Sequence, residues 1–227
     1  MIETLRNIQI FCQLNDNTLE TLADNIAIKD YRADETIYIE SEPSQYVYIV
    51  LSGRVKITKV SNNGREKILH IVCENEMFGE QAIFEDGLNP ASAKTLEKAV
   101  ILQIRLSALK QLAMEDQQCA AMLFDVMNLK LRQAYRQIIN LSFKDANSRL
   151  ASRLFKLARD HGVELDKGLL IGVHLTQQEL ADYVGTSRET ISRILSDLNQ
   201  RQVLHIERQN IYIKDYQELK QIAMGGP

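Results

Sequence analysis

The chain has 227 residues, 45% of them apolar and 25% charged, with a net charge of −3. That is enough sequence to bury one or two cores, and too little charge bias for a polybasic clamp. No run approaches the roughly 20 apolar residues of a membrane span and no signal-peptide pattern is present, so a cytoplasmic protein with no membrane partner is expected. Cys12, Cys73 and Cys119 are scattered, form no CxxC and suit a reducing compartment. From Ser142 onward there are 12 basic and 11 acidic residues, against 15 and 19 before it. Any affinity for nucleic acid must then come from a local patch and from dimerisation, not from the overall field.

In chain order, the first 30 residues carry helical patterns, with Leu19, Leu22, Ala23 and Ile26 on one face. Residues 36–41, 46–53, 54–60 and 67–73 alternate with period two and are rich in β-branched and aromatic side chains. Gly53 separates the second from the third, and Asn62-Asn63-Gly64 signals a tight turn. A loop at 85–93 precedes a further strand at 99–104. The spacing predicts a small antiparallel barrel or roll.

After Arg105 the helical period returns. Ala120, Phe124, Met127, Leu131, Ala134, Ile138 and Leu141 follow alternating spacings of four and three, the seam of a self-pairing coiled coil. A helix lying on its own barrel would show a wider, less regular stripe. The heptad stops around 142–146, where a hinge is expected, and an amphipathic helix follows over 148–162. The expected fold is α+β: an antiparallel roll over 1–105, a dimerisation helix over 106–142 and a C-terminal domain over 143–227.

Residues 176–201 carry the most specific signal. Thr176 and Glu179 have capping-box spacing, Leu180, Ala181 and Val184 form an apolar stripe, and Gly185 permits a left-handed turn. Thr186 or Ser187 caps a second helix with Ile191, Ile194, Leu195 and Leu198 inward, and Arg188, Glu189, Ser192 and Arg193 off that stripe. This is the pattern of a helix-turn-helix whose second helix enters the major groove. A plain capped helix pair has the same caps. Two short strands after 202, with Val203, Ile206, Ile211 and Ile213 apolar, add a wing and favour the DNA-binding reading.

Taken with YIVLSGRVKI (48–57), MFGEQAIFEDG (77–87), FKDANSRLASRL (143–154) and LTQQELADYVGTSRETISRIL (175–195), the chain resembles the CRP/FNR superfamily of bacterial transcription regulators over nearly its whole length. The resemblance implies a winged helix-turn-helix, a homodimer, double-stranded DNA and RNA polymerase as partners, and a small-molecule or gas effector bound between roll and long helix. It places Arg188, Glu189, Ser192 and Arg193 at base-reading positions, with half-sites like TGTGA or a TTGA-containing hybrid. Arginine offers a bidentate fork to guanine and glutamate accepts from cytosine. Thr176, Gln178, Ser187 and Thr190 would position phosphates.

For the effector, the resemblance points to Gly79, Glu80, Pro90, Ala91, Lys130, Ala134 and Tyr135. Cyclic-AMP-binding members carry Arg-Ser where this chain has Pro90-Ala91, and Thr and Ser where it has Ala134 and Tyr135. Proline brings neither charge nor amide hydrogen to a phosphate, which argues against cyclic AMP. Three dispersed cysteines argue against an iron–sulfur cluster. A haem sensing CO or NO stays open, with His70 as candidate ligand and Cys73 and Met77 close by in sequence. A sensor acting through protein contacts with a vestigial winged helix is the main alternative, against which the aligned Arg188, Glu189 and Arg193 stand. No phosphate-binding loop, nucleophile elbow or HExxH is present and the four histidines are dispersed, so no enzyme is expected.

Overall fold

The computed structural model describes residues 2–84, 87–208 and 210–225. In chain order the elements are α1 (Ile2–Arg6), α2 (Asp16–Ala23), β1 (Ile26–Tyr31), β2 (Thr36–Tyr38), β3 (Tyr46–Ser52), β4 (Val55–Val60), β5 (Glu66–Val72), β6 (Met77–Phe78), β7 (Ser92–Thr95) and β8 (Ala99–Arg105). There follow α3 (Leu106–Glu115), α4 (Gln117–Phe143), α5 (Ala146–His161), β9 (Gly162–Leu165), β10 (Gly168–Ile171), α6 (Gln177–Val184), α7 (Arg188–Gln200), β11 (Leu204–Glu207), β12 (Asn210–Ile213) and α8 (Tyr216–Ala223). The chain divides into two compact units, residues 1–133 and 134–227.

The first unit holds two four-stranded antiparallel sheets, ordered β1-β8-β3-β6 and β2-β7-β4-β5. Strand β3 is apolar almost throughout because both of its faces are covered. Val47 and Ile49 join Leu19, Leu22, Leu109 and Leu123 in a core against the helices. Tyr48 and Val50 face the roll interior with Tyr38, Phe78 and Ile101. Gly53 takes φ +82° in the turn between β3 and β4, and a Cβ there would lie 2.5 Å from the Lys98 carbonyl oxygen. Only glycine meets both demands.

The structure corrects several boundaries. Ile26 does not extend a helix; it opens β1, which pairs with β8 from Ile26↔Ile104 to Tyr31↔Ala99. The pairing partners lie 68 to 78 residues away, so no local period announces them. Residues 36–41 give a strand only as far as Tyr38, and the expected loop at 85–93 already contains the start of β7 at Ser92; Glu85 and Asp86 lie outside the described residues. Asp145 caps α5, whose first residue is Ala146, two residues before the expected start, and Gly162 is the C-cap at φ −69° and opens β9.

In the second unit, Leu150, Leu154 and Leu157 of α5, Leu180 of α6, Leu198 of α7 and Leu219 of α8 are buried. The sheet β11-β12-β10-β9 completes it. The seam side chains of α4 remain largely open on the single chain: Phe124 is 69%, Leu131 51% and Ile138 58% exposed.

Candidate nucleic-acid interface

The α6–turn–α7 motif is built from its caps outward. The Thr176 hydroxyl accepts from the Glu179 amide, and the Glu179 carboxylate accepts from the Thr176 amide, closing a capping box. Gly185 ends α6 at φ +81°, a conformation that costs a residue with Cβ about 1–2 kcal/mol. Ser187, the second of the two expected candidates, caps α7 by accepting from the Thr190 amide at 3.2 Å. Ile191, Ile194, Leu195 and Leu198 are buried, each contributing about 1.5–3 kcal/mol. Their burial fixes the rotation of α7 and leaves Arg188, Glu189, Ser192 and Arg193 exposed on the opposite face.

Those four share a shallow groove with Gln177, Ser196, Asp197 and Gln200. Neither the Arg188 nor the Arg193 guanidinium has a hydrogen bond or ion pair to a described residue. Glu189 is held ionised: its own backbone amide and the Ser187 hydroxyl lower its pKa, and the Arg188 charge adds to this. A carboxylate that stays charged is the acceptor a cytosine amino group needs.

The expected phosphate-positioning side chains are partly committed. The hydroxyls of Thr176 and Ser187 serve their helix caps, Thr190 Oγ1 lies 3.0 Å from Ser187 Oγ, and Gln178 donates to Asp182 at 2.9 Å. Gln177, which sequence reasoning passed over, lines the groove instead.

Three other residues that sequence reasoning missed hold the motif in shape. Arg149 of α5 donates to the carbonyls of Val184 and Gly185, both at 3.3 Å, and to that of Lys144 at 2.8 Å. Arg153 stacks over the Tyr183 ring at 4.2 Å. Asn199 Oδ1 accepts from the Ile206 amide at 3.2 Å, tying α7 to the wing. The wing itself pairs from Leu204↔Ile213 to Glu207↔Asn210, with Val203 and Ile213 buried and Ile206 and Ile211 half-buried. An amphipathic pattern marks α5 as a helix, but nothing local shows that Arg149 reaches a turn thirty-five residues on.

In the roll, Gly79 precedes a 3-10 turn over Glu80–Ile83. Glu80 is only 2% exposed and has no hydrogen-bond partner among the described residues. Burial, and then the charges of Glu80 and Tyr48, push the Tyr38 phenol far above its ordinary value. Tyr48 stacks on Phe78 with ring centroids 5.0 Å apart, and Tyr38 lies 5.4 Å from Tyr48. Pro90 is half-buried and Ala91 buried, and Asn89 before them leaves a buried Oδ1 without a partner among the described residues. Lys130 is half-buried on α4, while Ala134 and Tyr135 are exposed and belong to the second unit.

His70 Nε2 faces Glu76 Oε2 at 3.4 Å, and Cys73 and Met77 are buried. The imidazole nitrogen that would ligate a haem faces this carboxylate. Among the described residues no three potential metal donors converge. No helix among them is long and apolar enough to cross a membrane.

The cyclic nucleotide-binding domain family matches residues 28–116, and the Crp-like helix-turn-helix domain family matches residues 148–222. A CRP-like cAMP-activated global transcriptional regulator of Mycobacterium tuberculosis is 30% identical over 223 residues, which cover 98% of this chain and 100% of that one. A cyclic AMP receptor protein of Thermus thermophilus is 30% identical over 199 residues, 86% of this chain and 87% of that one. The structure of FixK2 from Bradyrhizobium japonicum superposes with a TM-score of 0.78 at 28% identity, covering 87% of this chain and 96% of that one. Both matched domains, in this order and over nearly the full length of a relative, make the chain a member of the CRP/FNR superfamily, a DNA-binding transcription regulator of that type.

Proposed function

We propose that the chain is a cytoplasmic homodimer that reads a palindromic operator with TGTGA- or TTGA-like half-sites, under control of an effector other than cyclic AMP. The observation that carries the DNA reading is the uncommitted pair Arg188 and Arg193, exposed with Glu189 and Ser192 on one face of a helix whose other face is locked in the core. Two such helices related by a two-fold axis address half-sites about 34 Å apart, one helical turn. The seam of exposed Phe124, Leu131, Ala134, Ile138 and Leu141, with half-buried Met127, supports pairing along α4. RNA polymerase is the expected downstream partner.

Two of the relatives are named for cyclic AMP, but the polar groups around this chain's equivalent segment suit a phosphate poorly. Glu80 and the orphaned Asn89 Oδ1 are acceptors, and Pro90 and Ala91 bring no donor side chain. Titration of the full chain with cyclic AMP, with and without a TGTGA palindrome, tests this. The expected result is no micromolar binding and no gain in operator affinity. Micromolar binding coupled to tighter operator binding would overturn the effector reading while leaving the DNA reading intact.

A further inference from the structure

A cleft of about 420 Å³ opens in the first unit between the N-terminal segment around Ile10, the turn before β6, and α4. It is lined by neither Gly79, Glu80, Pro90 nor Ala91; of the effector residues expected from sequence, only Lys130 reaches it. Its size falls in the range of small-molecule sites. Its floor is apolar, made by Met77, Met122, Val126 and Leu129, with Ile10 at the edge.

Its polar groups are of both signs. Glu76 Oε2 is fixed by the Cys73 amide at 2.9 Å and by His70, whereas Oε1 has no hydrogen-bond partner among the described residues. Burial opposes ionisation of Glu76, but the His70 hydrogen bond and charge, the Cys73 amide and the Lys130 charge outweigh it and bring its pKa down to about 2. The carboxylate is therefore charged near neutral pH, and Lys130 is close enough for its charge to be felt. Neither the Lys130 ammonium nor Asp125, which also lines the cleft, has an ion-pair partner among the described residues. Gln133 adds an amide donor on the same helix.

We infer that this cleft binds a zwitterionic α-amino acid with a large apolar side chain, its ammonium on Glu76 Oε1 and Asp125, its carboxylate on Lys130 and Gln133. A ligand of one sign would leave the opposite charge desolvated and unpaired, which is costly. An amino acid satisfies both and lays its side chain on the Met77–Val126–Leu129 floor. This deepens the reading of the chain as a regulator with an effector other than cyclic AMP.

The test is calorimetry on the full chain without DNA, using L-phenylalanine and L-leucine as probes. Binding is expected for at least one. Phenethylamine and 3-phenylpropionate, each lacking one charged group of phenylalanine, should bind roughly tenfold or more weakly. Lys130→Met and Glu76→Gln should weaken the amino acid by a similar factor, and Leu129→Trp, which fills the cleft from an exposed helix position, should abolish the heat. No binding of either probe at millimolar concentration, or binding that ignores Leu129→Trp and Lys130→Met alike, overturns the site. Operator titration with the amino acid present is the separate arm: binding without any change in operator affinity keeps the site and removes its role as effector.

Discussion

The α6–α7 motif and the roll handle polar side chains in opposite ways. In the motif, burial is left to Ile191, Leu195 and Leu198, and the proposed base-reading groups Arg188, Glu189 and Arg193 stand in solvent, aimed by the helix that carries them. In the roll, Glu80 and Asn89 are buried, and their surroundings come from strands far apart in the chain. The motif addresses a partner whose shape is the same everywhere, so one helix with a few outward groups serves. The proposed effector of the roll would be selected by the assembled lining alone.

The largest expected effect falls on the α4 seam proposed to join two copies. Leu131→Asp or Ile138→Asp would put an unpaired charge in an apolar seam, at a cost of several kcal/mol. Sedimentation should show a monomer, and operator binding should vanish with the dimer. A variant that sediments as a dimer would sink the seam assignment and with it the two-fold reading.

A smaller effect separates the two units. Arg149→Met keeps the stem and removes the donors to Val184, Gly185 and Lys144, which should cost about 1.5–3 kcal/mol. Hydrogen exchange should speed up in α6 and α7 while the roll amides keep their protection. Unchanged exchange at the turn would show that the guanidinium does not brace it.

The smallest effect lies in the roll and depends on pH. A carboxyl with a lowered folded pKa stabilises the fold above its unfolded value, near 4.5 for Glu76, and that stabilisation is lost as pH falls towards about 2. Glu76→Gln should therefore lower the melting temperature near neutral pH, and the gap from wild type should close as pH falls from about 5 towards 2. A gap constant with pH would mean that the His70–Glu76 contact contributes through packing, not charge.

The motif was legible because its signals are local. Thr176, Glu179, Gly185 and Ser187 cap and turn within four residues of their partners, and the stripe on α7 fixes which side chains face out. The strands β3, β4, β5 and β8 were legible for the same reason, since alternation is a nearest-neighbour pattern. Strand β1 and the reach of Arg149 were not, because each is decided by a partner distant in sequence. The cleft beside Lys130 was invisible for a further reason. Its lining comes from residues 9–13, 75–77 and 122–133, and no spacing in the sequence brings these together.

The central claim is that α7 reads bases, and Arg193 tests it most directly. Wild type and Arg193→Ala should be titrated at fixed salt against operators substituted singly at each half-site position. The variant should lose about 1–3 kcal/mol per contact, confined to one guanine of each half-site, and substitution of that guanine should no longer matter to it. A loss spread evenly over all operators would make Arg193 a phosphate contact, and no loss would make it a solvated surface residue; either result contradicts the account.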